Sequence, residues 1–142
     1  MKTIHGGLDT VELRELGLRP EQVIDFSSNV NPLGTSEPVR QAAANADLSA
    51  YPDRDCLALR EALAERLGVG VDHLLVGNGS TELIHLLARS RLRAGSTCLI
   101  FEPTFGEYEA AARLTGADVQ RVKAREADGF CWPLDETEQV IE

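Results

Sequence analysis

Between Leu74 and Lys123 short apolar runs alternate with helical segments, and that alternation restricts the fold more than any other feature of the sequence. Leu74-Leu75-Val76 is an apolar run closed by Gly77-Asn78-Gly79. Ser80-Thr81-Glu82 opens a helical segment in which Leu83, Ile84, Leu86 and Leu87 nearly encircle the axis, a pattern that predicts a well-buried helix. Thr97-Cys98-Leu99-Ile100-Phe101 is a second strand-like run, ending in Glu102-Pro103-Thr104-Phe105. Gly106 to Leu114 is an alanine-rich helix stopped by Gly116, and Val119 to Lys123 alternates as a third strand. Connections of this length cannot be hairpins, so the strands are expected to be parallel with right-handed crossovers. The fold class expected is α/β: an N-terminal helical arm followed by the first part of a mainly parallel sheet.

The residues before this stretch carry clear start and stop signals. Asp9 with Glu12 three positions on resembles a capping box, followed by apolar Val11, Leu13 and Leu16 and ended by Gly17. Val23 to Phe26 suits a brief extended segment, and Ser27-Ser28-Asn29-Val30-Asn31-Pro32-Leu33-Gly34 is a turn-rich loop. Ser36-Glu37-Pro38 starts a helix running to Ala46, and Tyr51-Pro52-Asp53 breaks the chain again. Asp55 is placed to cap a helix with Leu59, Ala62, Leu63 and Leu67 on it, closed by Gly68. At the other end Asp135 suits an N-cap and Glu136 to Glu142 an acidic first turn. Three parallel strands and a helix just begun read as an open sheet cut short, the signature of a fragment.

Composition narrows the partners. With 142 residues, 43% hydrophobic and 26% charged, the chain is ordinary for a folded domain. A net charge of −9 argues against binding to nucleic acid or to an anionic membrane. No apolar stretch is long enough to span a bilayer, and the first seven residues have no apolar signal core. Cys56, Cys98 and Cys131 are odd in number and far apart, so neither a disulfide framework nor a zinc site is expected, and a cytoplasmic setting is.

Gly77-Asn78-Gly79-Ser80-Thr81-Glu82 is the most informative local feature. At a strand-to-helix junction, free backbone N–H groups and the positive end of the helix dipole attract anions, and the Ser80 and Thr81 hydroxyls can donate to phosphate oxygens. The pattern is neither a Walker loop nor a dinucleotide fingerprint, and it also suits a plain tight turn. Phe105 would sit at the same carboxyl edge of the sheet, either stacked on a flat ligand ring or packed in the core. His5-Gly6-Gly7, Asn29 and Tyr51 lie in polar loops, where each can be a plain loop residue and turn formation is the favoured reading of Asn29 and Asn31. His73 and His85 lack metal-ligand spacing and read as structural. The lysines are Lys2 and Lys123, and neither has the glycine- and serine-rich, strand-end context of a Schiff-base lysine.

Taken together, Asp25 to Gly34, Tyr51-Pro52-Asp53 with Leu59-Arg60, Gly77 to Glu82, and Pro103 to Tyr108 resemble the fold-type I pyridoxal-phosphate enzymes. The branch is the one containing histidinol-phosphate aminotransferase and threonine-phosphate decarboxylase. His5-Gly6-Gly7, and Arg125-Glu126-Ala127-Asp128-Gly129 with an aromatic next, are similar to the decarboxylases in particular. Cys56, where the family often has an aromatic, and Leu8 after His-Gly-Gly depart from the pattern.

The resemblance implies that residues 1–70 form the N-terminal arm and small-domain helices, and that residues 71–142 begin the large cofactor-binding domain. It implies pyridoxal 5'-phosphate as cofactor, with Ser80 and Thr81 on its phosphate, Phe105 stacked on its ring and Tyr51 reaching the cofactor of the partner in a homodimer. His5, Gly6 and Asn29 are implied to meet a small phosphorylated amino-acid substrate. The activity implied is decarboxylation of L-threonine O-3-phosphate to aminopropanol phosphate and CO2 in cobalamin biosynthesis. Transamination of histidinol phosphate is the alternative within the family, and a non-catalytic phosphate-binding fragment the alternative outside it. The Schiff-base lysine, the aspartate for the pyridine nitrogen and the arginine for the substrate carboxylate have no counterpart among these residues, so the chain alone is expected to be inactive.

Overall fold

The computed structural model describes residues 6–133 and Thr137, which fall into two compact units, one ending at Arg54 and the other starting at Asp55. In the first unit, α1 (Thr10–Glu15) is capped as the sequence predicts: the Asp9 carboxylate accepts from Val11 N–H at 2.8 Å and more loosely from Glu12 N–H. Leu13 on this helix is buried. A 3-10 turn at Pro20–Gln22 follows, and α2 (Glu37–Ala44) starts after Ser36 with proline in its first turn. Val23 is extended, and residues 23–26 join no strand among the described residues.

In the second unit α3 (Leu57–Leu67) begins with Cys56, rather than Asp55, at the capping position, and ends at Gly68. Cys56 is held at φ 46°, a left-handed conformation that costs a side-chain-bearing residue about 1 kcal/mol. A 3-10 turn at Val71–His73 is tied back to α3 by Arg60 Nη2, which donates to Val71 O at 2.9 Å. After it come α4 (Gly79–Arg91), β1 (Thr97–Glu102), α5 (Glu107–Leu114) and β2 (Asp118–Lys123). The two strands pair in parallel, Thr97 opposite Asp118 through Glu102 opposite Lys123, with α5 in the crossover.

The α/β class and the parallel pairing agree with the sequence pattern; two details differ. Leu74-Leu75-Val76 is not a strand, although Leu74 has extended dihedrals. A strand exists through its ladder, and among the described residues nothing pairs with this run. Nor is α4 well buried: Ala88 is its buried residue, while Leu86 and Leu87 are exposed. The two strands found among the described residues are too narrow a sheet to cover the Leu83, Ile84, Leu86 and Leu87 side chains of α4 together. The core of this unit is accordingly made of small residues, Ala111, Ala112, Ala117, Ala124 and Val122 around Ile100. The helix expected from Asp135 lies outside the described residues, except Thr137, whose backbone N–H and hydroxyl both donate to Pro133 O.

Candidate functional site

The turn into α4 is built from two local bonds. Asn78 has φ −77° and ψ 70°, and Gly79 N–H donates to Gly77 O at 2.9 Å, an inverse γ-turn. The Glu82 carboxylate folds back over it, accepting from Asn78 N–H at 2.5 Å and from Asn78 Nδ2 at 3.2 Å. That approach needs glycine at 77, because a Cβ there would lie 2.9 Å from Glu82 Oε2 and 3.0 Å from Leu83 Cδ2. With Glu82 so engaged, no side chain caps the first turn of α4. The Ser80 and Thr81 hydroxyls also make no hydrogen bond among the described residues, Ser80 being exposed and Thr81 half-buried. The result is a helix N-terminus with two donors left to a ligand.

Phe105 leaves the carboxyl end of β1 two residues before α5, partly exposed, its ring edge-on to Tyr108 with centroids 6.4 Å apart. Because α4 returns the chain to the start of β1, the N-terminus of α4 and the C-terminus of β1 lie at the same end of this unit. The contact between His85 Nε2 and Glu107 Oε2, 2.8 Å long, joins the two helices there. Glu107 is buried and was not singled out by the sequence; an acidic residue in a helix's first turn is too ordinary a signal.

The remaining candidates belong to the other unit. Gly6 packs so tightly on the Ser27-Ser28 backbone that a Cβ would fall 2.0 Å from Ser27 O, and Gly7 N–H donates to Ser27 Oγ at 2.9 Å. The structure thus brings Gly6 and the loop carrying Asn29 together. Asp25 shapes that loop, accepting from Ser27 N–H at 2.7 Å, Ser27 Oγ at 2.6 Å and Ser28 Oγ; these bonds hold its pKa at about 2. Asn31 is the turn former: its Oδ1 accepts from Leu33 N–H at 3.0 Å and its Nδ2 donates to Gly34 O at 3.1 Å. Asn29 makes no such bond and is exposed, and Tyr51 is fully exposed. His5 lies outside the described residues.

Residues 21–142 match the model of the family described as aminotransferase class I and II. The chain belongs to that family. Among curated relatives of this chain, the threonine-phosphate decarboxylase of Salmonella typhimurium is 39% identical over 140 residues, covering 97% of this chain and 37% of that protein. The histidinol-phosphate aminotransferase of Moorella thermoacetica is 41% identical over 114 residues, covering 79% and 29%. Of solved structures, the aspartate aminotransferase of Thermotoga maritima superposes with a TM-score of 0.71 at 25% identity, covering 91% of this chain and 36% of that one. The chain therefore spans about a third of the length of the relatives it matches.

The class I and II aminotransferase family depends on pyridoxal phosphate. The residues present fit part of that group: two unpartnered hydroxyls at an uncapped helix N-terminus suit a phosphate, and a partly exposed phenyl ring at the same end of the unit suits a pyridine. Lys123, opposite Glu102 at the carboxyl end of β2, holds its ammonium on the surface 3.6 Å from Glu102 Oε2.

Proposed function

We propose that this chain supplies the N-terminal arm and the opening of the cofactor-binding domain of a pyridoxal-phosphate-dependent threonine-phosphate decarboxylase, with residues 71–142 belonging to that domain. The observation that carries the reading is the turn before α4, where Ser80 and Thr81 keep both hydroxyls unpaired beside an uncapped helix terminus. The choice of reaction is supported by likeness to the Salmonella decarboxylase along nearly the whole chain.

In this reading Ser80 and Thr81 donate to the cofactor phosphate and Phe105 covers one face of the ring. Tyr51, exposed on its loop, reaches the cofactor of the partner in a homodimer. His5, Gly6 and Asn29 hold the phosphorylated amino acid, Gly6 and the Asn29 loop being already adjacent. Bound pyridoxal phosphate supplies an electron sink for the pair released when a bond to the substrate Cα breaks. The protein's task would be orientation, since the residues that hold the substrate would decide which bond to Cα is presented for cleavage. For L-threonine O-3-phosphate that bond is Cα–carboxylate, the products being CO2 and, after Cα takes a proton, aminopropanol phosphate.

Transamination of histidinol phosphate is the second reading, favoured by the comparable identity to the Moorella enzyme. Incubating the full-length protein with each substrate separates them. Carbon dioxide release from threonine phosphate without 2-oxoglutarate is expected; glutamate formed from histidinol phosphate and 2-oxoglutarate would instead establish the transferase. Phosphate binding with no turnover of either substrate would leave a non-catalytic phosphate-binding domain.

A further inference from the structure

The described groups that the proposed reaction leaves unused include one buried ionisable pair, His85 with Glu107. Glu107 is 5% exposed, and its Oε2 lies 2.8 Å from His85 Nε2, whose side chain is itself largely covered. A carboxylate is costly to bury, and exchanging a buried ion pair for apolar side chains of similar volume is often neutral or stabilising. Such a pair is therefore better explained by the geometry it fixes than by the stability it adds. Its place in the chain says which geometry. His85 is five residues into α4 from Ser80, about 7.5 Å along the helix axis, on the element whose first turn carries the two free hydroxyls. Glu107 is the first residue of α5, two after Phe105, where the positive end of the helix dipole favours its charge. The other buried residues of these two helices are alanines, Ala88 on α4 and Ala111 and Ala112 on α5, which fit many relative positions, whereas an imidazole bonded to a carboxylate fits one.

We propose that His85 and Glu107 are positioning residues, whose bond holds the Phe105 ring in register with the Ser80–Thr81 anion cradle so that one ligand can engage both. This rests on the reading of Ser80, Thr81 and Phe105 as the cofactor site. The ligand class is a flat heteroaromatic ring bearing a phosphate, and the pair governs the ring rather than the phosphate end.

The test uses the full-length protein and three variants, His85→Leu, His85→Gln and Glu107→Gln, with pyridoxal phosphate and inorganic phosphate as separate probes. Gln at 85 keeps an N–H donor at the reach of Nε2; Leu removes it. His85→Leu is expected to weaken pyridoxal-phosphate binding about tenfold, the loss of one bond to a charged group, and to reduce the circular-dichroism band induced in the bound ring. Inorganic phosphate affinity should stay at the wild-type value in every variant, and His85→Gln should restore both ring readouts. Should His85→Leu fail to fold, Glu107→Gln, which keeps volume and removes charge, serves with the same expectation of a weaker ring signal. Three results would overturn the inference: an unchanged ring signal in both His85→Leu and Glu107→Gln, equal losses in the Leu and Gln variants of His85, or a parallel loss of phosphate affinity, the mark of a general structural defect. Ser80→Ala with Thr81→Ala is the separate control. If that double variant retains cofactor at the wild-type affinity, it is the site reading that fails; if it loses cofactor while His85→Leu does not, the site stands and the pair has no positioning role.

Discussion

Ser80 and Thr81 are worth measuring together, because each offers a hydroxyl with no hydrogen-bond partner among the described residues, beside the uncapped first turn of α4. In the full-length protein, Ser80→Ala with Thr81→Ala is expected to remove two charge-assisted hydrogen bonds worth about 1.5–3 kcal/mol each, read as faster cofactor loss on dialysis. Undiminished retention would take both residues out of the site. Gly77 is the companion case. Its replacement by Ala should push the Glu82 carboxylate aside, since the new Cβ would stand 2.9 Å from Oε2, and the far end of a glutamate can swing away without disturbing the fold. Asn78 N–H then loses its acceptor, a cost of about 1 kcal/mol, and its hydrogen exchange should quicken; a wild-type exchange rate would mean that Glu82 is not what holds the turn. Asp25 gives a prediction in pH. Its folded pKa of about 2 lies below the unfolded value of about 3.9, so the order it lends the 27–29 loop is fully present above pH ~4 and is lost as the pH falls through about 2. The Ser27 amide resonance should titrate accordingly, and a midpoint near 4 would show that the Ser27 and Ser28 bonds are absent in solution.

Elements were legible in the sequence where a local signal closes on itself. Asp9 reaches its own first turn, Pro38 sits where the first turn tolerates it, and Gly68 takes the left-handed position that ends α3. What escaped depends on distant partners. Leu74-Leu75-Val76 has the composition of a strand but no ladder among the described residues, and the leucines of α4 have the pattern of a buried helix without enough sheet to bury them. The same holds at the site. The Gly-Asn-Gly-Ser-Thr run announced the turn before α4, while the buried Glu107 became visible through its neighbour twenty-two residues earlier. The α5 face does offer a test at this scale. Ala111 and Ala112 are each 1% exposed, so Ala112→Leu should overpack the contact and lower stability by about 1–3 kcal/mol, measured as a shift in the urea midpoint. An unchanged midpoint would show a looser interface. Glu109 is a different case: its side chain is largely covered while it accepts from Arg113 at 2.6 Å and from Arg121, whose guanidiniums stay partly exposed, so its replacement by Ala should cost about 1 kcal/mol, read from the same urea midpoint.

At the scale of the whole molecule, the proposed function assigns the described residues a phosphate cradle and a ring platform, and the sheet among the described residues has two strands. Lys123 is surface-exposed and faces Glu102. Borohydride treatment of the isolated chain with pyridoxal phosphate is therefore expected to give no stoichiometric adduct, and threonine phosphate no product; a single adduct at Lys123 with turnover would contradict this. Between α4 and β1 runs an apolar groove of about 510 Å³, lined by Leu87, Leu92, Leu99, Phe101 and Tyr108 among others, and among the described residues β1 pairs on one edge alone. Such surface favours self-association over a sharp melt. Heating the dilute isolated chain should give a broad transition, and a steep cooperative one would count against that expectation. The groove also contains its own optical gauge. Trp132, the single tryptophan, lines it half-exposed, edge-on to Phe101 with centroids 5.5 Å apart. Whatever shields that indole from water will move its emission to the blue, so completion of this hydrophobic layer can be followed in unlabelled protein by fluorescence alone.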